Sequence, residues 1–121
     1  MDQFSNLAAR QYLSGESFLA EFEERTEPYK RWIQIYAGDI TQIGWPDGPI
    51  ELLIVDAMKS PDMTKFIVRE FYGKILPVKG LVFHQDFKHF WTSWIHLIQY
   101  RLRSYFALET SLKGSSAVVF P

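Results

Sequence analysis

Residues 50–57 (IELLIVDA) are a run of branched apolar side chains that ends abruptly in the carboxylate of Asp56. Such a run is typical of a strand buried on both faces, in a parallel sheet with helices on either side. A second run, residues 80–86 (GLVFHQD), repeats the pattern and ends in Asp86. Open α/β sheets bind ligands beyond the carboxyl ends of their strands. The two runs therefore predict a binding edge that carries both aspartates.

Length and charge narrow the classes of protein that this chain can belong to. A chain of 121 residues is long enough for a single domain with one core, predicted over residues 1–121. The net charge of −1 gives no electrostatic case for binding nucleic acid or an anionic membrane. Cysteine is absent, which excludes disulfides and thiolate zinc sites. The first residues do not resemble a signal peptide, so we expect a cytoplasmic protein.

The other elements are predicted from periodicity and from terminal signals. Helical spacing predicts a helix over residues 5–30, with a break at Ser14-Gly15, and an aromatic, β-branched run predicts a strand over 32–37. Ser60-Pro61-Asp62 combines an N-cap, a first-turn proline and an acid that complements the helix dipole, and it predicts the start of a helix. Apolar residues at three- and four-residue spacing predict the longest helix over 88–106.

The last residues complete the predicted fold class. Residues 107–112 and 117–120 flank a short turn and predict two antiparallel strands. Alternation of strands and helices before them implies a mainly parallel sheet. The chain is therefore predicted to be an α/β protein with a C-terminal antiparallel hairpin.

Residues 28–121 resemble a known family. The Gly38-Asp39 end of the run 31–39, the strand that ends in Asp56, the helix that begins at Ser60 and the run 79–86 together look like the second half of a class I S-adenosylmethionine-dependent methyltransferase. The small-molecule O-methyltransferases are the most similar group. The resemblance implies a Rossmann-like three-layer sandwich with strand order 3-2-1-4-5-7-6. In that order 32–37 is the third strand, 50–55 the fourth and 80–84 the fifth, and the final pair are the sixth and seventh.

The resemblance also implies roles for individual residues. Asp39 and Ile40 match positions that contact the adenine of the methyl donor. Asp56 matches an acidic position near donor and acceptor, and Asp86 matches a position that supplies a metal carboxylate in some members, so a divalent cation such as Mg²⁺ is implied at this pair. Asp2 lies where the family has an acid that binds the ribose hydroxyls, although no strand precedes it here.

The glycine pattern departs from the family. The first strand of the family ends in a glycine-rich loop that lets the backbone approach the cofactor. No G-x-G occurs in this chain. We therefore expect the N-terminal strands to be missing, and we expect the fourth strand to have an unpaired edge, which invites pairing with another chain. A fragment, a rearranged sheet and a partner that supplies the strands are the three alternatives.

Three side chains at the predicted edge have both a functional and a structural interpretation. Asp56 either takes part in methyl transfer or caps a turn. His84 is a residue type that acts as a general base near neutral pH, and at two positions before Asp86 it shares one side of an extended strand with it. The structural alternative is a histidine hydrogen-bonded under the sheet edge. Lys59 either pairs with Asp56, contacts the acceptor or is simply solvated.

Two hypotheses of function follow. In the first, the intact protein transfers a methyl group from S-adenosylmethionine to a hydroxyl of a small-molecule acceptor, a sugar or natural product. Asp56, His84 and Asp86 are then the catalytic candidates, and this chain alone is inactive. In the second, the chain is a truncated, non-enzymatic domain that associates through its exposed sheet edge, as a homo-oligomer or with a partner.

Overall fold

The computed structural model describes residues 13–108, 110–111 and 118–120. The chain divides into two compact units, Met1–Gly38 and Asp39–Pro121. The prediction of one domain over residues 1–121 stays a prediction. None of the helices in the described part of the chain is long and apolar enough to cross a membrane.

Within residues 13–38 the first unit contains one α-helix. Helix α1 comprises Leu19–Thr26 and continues into a 3-10 helix over Glu27–Tyr29. The predicted helix over 5–30 is thus confirmed only in its second half, since residues 13–18 are not helical and residues 5–12 lie outside the described residues. The side chains of α1 include no buried residue.

The predicted strand over 32–37 is wrong. These residues form neither a strand nor a helix. Trp32, Ile33 and Tyr36 are exposed, and the Arg31 guanidinium lies 3.8 Å from the centre of the Trp32 ring. Aromatic and β-branched residues favour a strand only where a neighbouring strand and a packed face receive them. Residues 32–37 have the composition of a strand, but within the described part of the chain no strand pairs with them.

The second unit alternates strands and helices. Its elements are α2 (Ile40–Ile43), β1 (Leu52–Val55), α3 (Pro61–Phe71), a 3-10 helix (Tyr72–Lys74), β2 (Leu81–His84), α4 (Ser93–Arg101), β3 (Thr110–Ser111) and β4 (Val118–Phe120). The strands predicted over 50–55 and 80–84, the helix that begins after Ser60 and the final antiparallel pair are all present in this order.

The four strands form one sheet in the order β1-β2-β4-β3. Strands β1 and β2 are parallel, with Leu53 opposite Val82 and Val55 opposite His84. Strand β4 is antiparallel to both of its neighbours, β2 and β3. The last strand in the sequence is therefore inserted between two earlier ones, and β1 lies at an edge of the sheet.

Helices cover one face of this sheet. Val55 and Val82 pack with Ile67 and Phe71 of α3 and Ile95 of α4 in a single buried cluster. On the opposite face Leu52 is 54% exposed and Ile54 is 66% exposed. The prediction that residues 50–55 are buried on both faces is therefore wrong, because every second residue of β1 points away from the helix layer. The described residues form a small α/β domain, and the third layer of the predicted sandwich is not among them.

Local signals set the start of α3. The Ser60 hydroxyl accepts a hydrogen bond from the backbone N–H of Met63, Pro61 occupies the first turn and Asp62 adds the complementary charge, as predicted. Helix α4 is shorter than predicted. The backbone of Asp86 adopts a φ of 57°, and the Thr92 hydroxyl donates to the carbonyls of Asp86 and His89, so that residues 87–92 form turns before the helix begins.

Candidate functional site

Two acidic side chains meet at the carboxyl edge of the parallel strands. Asp56 directly follows β1, and Asp86 lies two residues beyond the end of β2. The Lys59 ammonium bonds to both, at 2.8 Å from Oδ1 of Asp56 and in close contact with Oδ2 of Asp86. The structure thus brings together the two aspartates at the predicted edge, and a lysine links them.

The turn that follows β2 places Asp86. Its positive φ reverses the chain, and its carbonyl accepts hydrogen bonds from the His89 N–H at 3.0 Å and from the Thr92 hydroxyl at 3.0 Å. Non-glycine residues with a positive φ are uncommon and are often aspartate. The bonded turn compensates for the unfavourable conformation and directs the Asp86 carboxylate toward Lys59.

Lys59 was expected to be a solvated lysine, with pairing to Asp56 as one alternative, and the structure shows the pairing. Hydrogen bonds from the ammonium, first to Asp56 and second to Asp86, raise the pKa of Lys59 above its ordinary value. Lys59 and Asp56 are exposed and Asp86 is partly exposed, and exposed ion pairs contribute little to stability. Lys59 therefore links the two carboxylates without stabilising the fold appreciably.

The residues as arranged do not fit a divalent cation between Asp56 and Asp86. Magnesium and calcium ions require several oxygen ligands. No group of three or more histidine, aspartate or glutamate side chains suited to a metal exists within residues 13–108. The Lys59 ammonium already lies between the two carboxylates. The metal role of this pair stays a prediction, and it would require Lys59 to move.

His84 lies in the core and not in the site. Its side chain is fully buried, and its Nε2 lies 2.6 Å from the hydroxyl of Tyr72. Burial lowers the pKa of His84 to about 4. Burial also raises the pKa of Tyr72. The structure thus agrees with the structural alternative for His84, a histidine that is hydrogen-bonded beneath the sheet edge and is not exposed at the surface.

The predicted shared side of His84 and Asp86 is not observed. Strand β2 ends at His84, and the left-handed backbone of Asp86 breaks the alternation on which the prediction depended. His84 is consequently buried, whereas the Asp86 side chain is 27% exposed. Of the three catalytic candidates, only Asp56 and Asp86 reach the surface at this edge.

The two residues predicted to contact adenine, Asp39 and Ile40, both make contacts with other residues of the protein. Asp39 is the N-cap of α2 and accepts hydrogen bonds from the backbone N–H of Thr41 at 2.8 Å and its hydroxyl at 2.7 Å. The hydroxyl bond, and then the backbone bond, lower the pKa of Asp39. Ile40 packs against the core cluster. The Asp39 side chain nevertheless remains exposed, whereas Ile40 is partly buried. Asp2 lies outside the described residues.

A cavity that the sequence did not indicate lies elsewhere in the second unit. It encloses about 550 Å³ and is lined by apolar and aromatic side chains that include Tyr72, Leu102 and Tyr105. Asp56, Lys59 and Asp86, which we call the carboxylate–lysine cluster, do not line this cavity. No motif marks these residues, because they come from two separate segments, 68–80 and 102–106, that only tertiary folding brings together.

Known proteins add no further constraint on the site. Comparisons with protein-family models, with curated proteins and with solved structures find no match to this chain. The features of this chain that bear on its function are the strand order, the carboxylate–lysine cluster and the edge strand.

Proposed function

We propose that this chain forms the acceptor-binding half of an S-adenosylmethionine-dependent O-methyltransferase. The observation that carries the proposal is the order of the strands. By the resemblance, β1 to β4 are the fourth to seventh strands of the family, whose order on this side of the sheet is 4-5-7-6. The order β1-β2-β4-β3 is the same, with the last strand inserted between two earlier ones. Simple addition of successive strands would instead have placed β3 beside β2.

The carboxylate–lysine cluster gives the proposal its chemistry. Asp56 is the more exposed of the two aspartates, and its carboxylate can accept a hydrogen bond from a hydroxyl of the acceptor. Lys59 fixes Asp56 relative to Asp86 and offsets their negative charge. The cluster therefore orients a hydroxylated molecule, and orientation of the reacting groups is a major source of rate enhancement.

The chain by itself does not fit the methyl donor. One carboxylate oxygen of Asp39 is bonded to Thr41, Ile40 packs against the core, and the sequence contains no glycine-rich loop. Donor binding and methyl transfer are therefore assigned to an assembly in which another segment supplies the loop. When bound in such an assembly, S-adenosylmethionine would supply the activated methyl group.

Acceptor binding can be tested on the isolated chain by NMR. Titration with sugars that carry neighbouring hydroxyls is expected to shift the backbone amide signals of Asp56, Lys59 and Asp86 in a saturable manner. Asp56→Asn should weaken this binding several-fold, because an amide is a weaker acceptor than a carboxylate. Asp62→Asn is the matched control, since Asp62 is an exposed aspartate that pairs with Lys65 three residues later.

Two outcomes would contradict the proposal. The first is the absence of saturable shifts with all sugars tested, and the second is equal binding by wild type and Asp56→Asn. A parallel titration with S-adenosylmethionine is expected to leave the spectrum unchanged. Micromolar binding of the donor would overturn the assignment of donor binding to a larger assembly.

A second candidate function is association through the sheet edge without catalysis. Strand β1 lies at the end of the sheet, and among the described residues no strand pairs with its outer side. Its exposed side chains are the apolar Leu52 and Ile54. Open edges with apolar side chains are sites at which sheets pair with other chains.

A further inference from the structure

The backbone of β1 presents a defined set of free hydrogen-bonding groups. The N–H groups of Leu81 and Gln85 in and beyond β2 bond to the carbonyls of Glu51 and Val55, each at 2.9 Å. Alternate residues of a strand direct their backbone groups to opposite sides. The N–H and C=O groups of Leu52 and Ile54 therefore point away from β2, toward the outer edge.

The side chains of the same two residues lie on the open face. Leu52 and Ile54 are both more than half exposed, while Leu53 packs against the core cluster on the helix side. The residues with free backbone groups are thus also those with exposed apolar side chains. A strand that pairs here would satisfy the backbone and cover apolar surface in one step.

We propose that this edge pairs with the same edge of a second copy of the chain, antiparallel and centred on Leu53. In that register Leu52 lies opposite Ile54 of the second copy, and the reverse pair forms by symmetry. Both are hydrogen-bonded pairs, so each exchanges two backbone bonds. Leu53 faces its own copy at the two-fold axis. This inference rests on the second candidate function, sheet-edge association, and is independent of methyl transfer.

Charge also favours this register. Glu51 lies opposite Val55 of the second copy, so no like charges face each other along the paired strands. Like charges directly across an antiparallel pair are destabilising. The paired side chains Leu52 and Ile54 are both apolar and match each other in size. Leu52 and Ile54 are therefore complementary to each other across the two-fold axis, and a second copy satisfies their backbone groups. The backbone groups of Ile50, before β1, are already bonded to Lys74 and Leu76 and take no part in the pairing.

The absence of cysteine from the chain permits a direct test of the register. A Leu53→Cys variant places two thiols at the two-fold axis, where Cα atoms of a non-hydrogen-bonded pair are about 4.5 Å apart. That distance is within the range of about 4.4–6.8 Å that a disulfide spans. We expect a disulfide-linked dimer under mild oxidation. Ile54→Cys is the control, because its two copies are diagonal neighbours about 7–8 Å apart and should link far more slowly.

A second measurement tests the pairing without changing a side chain on the helix side of the sheet. Light scattering coupled to gel filtration should show a dimer for wild type and a monomer for Ile54→Lys, since a charge on the open edge blocks pairing. Leu97→Lys changes a residue of α4 with nearly the same exposure, 65% against 66%, and should remain dimeric. A monomeric wild type, a dimeric Ile54→Lys or equally fast linking of both cysteine variants would overturn the proposal.

These outcomes are separable from those of the acceptor test. Ile54→Lys leaves Asp56, Lys59 and Asp86 unchanged, so it should bind sugars as wild type does. Loss of the dimer with retained sugar binding would support both proposals. A monomeric wild type that binds sugars would overturn only the edge pairing, and a dimer that binds no sugar would overturn only the acceptor site.

Discussion

His84 combines full burial with a side chain that ordinarily titrates near neutral pH. Tyr72 bonds to one ring nitrogen, and the Phe87 ring lies 5.8 Å from the imidazole, centre to centre. Protonation would place a charge in this apolar setting, and burial accordingly lowers the pKa of His84 to about 4. The native state therefore holds His84 neutral over a pH range in which an unfolded chain would protonate it.

The first prediction concerns the pH dependence of stability. As the pH falls below 6.5, the unfolded state binds a proton at His84 that the native state does not bind until about pH 4. The free energy of unfolding should therefore decrease across this window, by up to roughly 3 kcal/mol from this residue. Above pH 6.5 the contribution of His84 should not vary. Urea titrations at a series of pH values measure the slope.

A His84→Gln variant separates this effect from acid destabilisation by other groups. Its stability should fall less steeply than that of wild type between pH 6.5 and 4. His89→Gln, which changes an exposed histidine in the turn after β2, serves as the control and should keep the wild-type slope. A His84→Gln slope equal to that of wild type would contradict the prediction.

At the scale of elements, a close approach of two backbone segments fixes the start of β2. A Cβ added at Gly80 would lie 2.3 Å from Cγ2 of Ile75 and 2.8 Å from the carbonyl oxygen of Leu76. The Gly80 N–H also donates to that carbonyl at 2.8 Å. Ile75 in turn belongs to the buried cluster, and the backbone of Leu76 cannot give way as the end of a flexible side chain could.

The second prediction is that Gly80→Ala destabilises the protein by about 1–3 kcal/mol, the usual range for overpacking. Gly73→Ala is the matched control, because a Cβ there would meet nothing within 4 Å. Thermal or urea unfolding of the two variants gives the comparison. If both variants unfold with the same midpoint, the contact at Gly80 is not the constraint proposed here.

The elements that sequence predicted correctly have local causes. Ser60 caps α3 and Pro61 begins it, so a few adjacent residues are enough to place its start. The start of α4 and the absence of a strand at 32–37 depend on tertiary surroundings. The Thr92 hydroxyl bonds and the left-handed Asp86 delay α4, and no periodicity shows either.

The candidate site likewise combines positions that local sequence predicts with contacts that depend on tertiary structure. Asp56 and Asp86 were predicted from their positions after apolar runs, and parallel pairing of β1 and β2 brings their ends to one edge. Spacing alone could suggest only the bond from Lys59 to Asp56. The bond to Asp86 joins residues far apart in sequence and depends on the turn after β2. The burial of His84 follows from which face of β2 the helices cover.

At the scale of the whole molecule, the buried cluster belongs entirely to the second unit. Its members run from Ile50 to Ile95, and the half-buried side chains around it begin at Ile40 and end at Phe106. Helix α1 in the first unit contains no buried residue. The second unit therefore has its own hydrophobic core, which is the main source of folding free energy.

The third prediction is that a chain beginning at Asp39 folds on its own. Its free energy of unfolding should agree with that of the full chain to within about 1 kcal/mol, because the core cluster is retained. Near-ultraviolet circular dichroism and urea unfolding measure packing and stability. Loss of the aromatic dichroism, or a transition that is no longer cooperative, would show that residues 1–38 contribute to this core.

The insertion of β4 between β2 and β3 has a consequence for biosynthesis. A ribosome makes β1, α3, β2, α4 and β3 before it makes Val118–Phe120, yet β3 joins the sheet only through β4. Until those residues emerge from the exit tunnel, the inner edge of β2 is open as well as the outer edge of β1. The nascent chain therefore passes through a stage with two reactive edges, and β4, made after the other three strands, closes one of them.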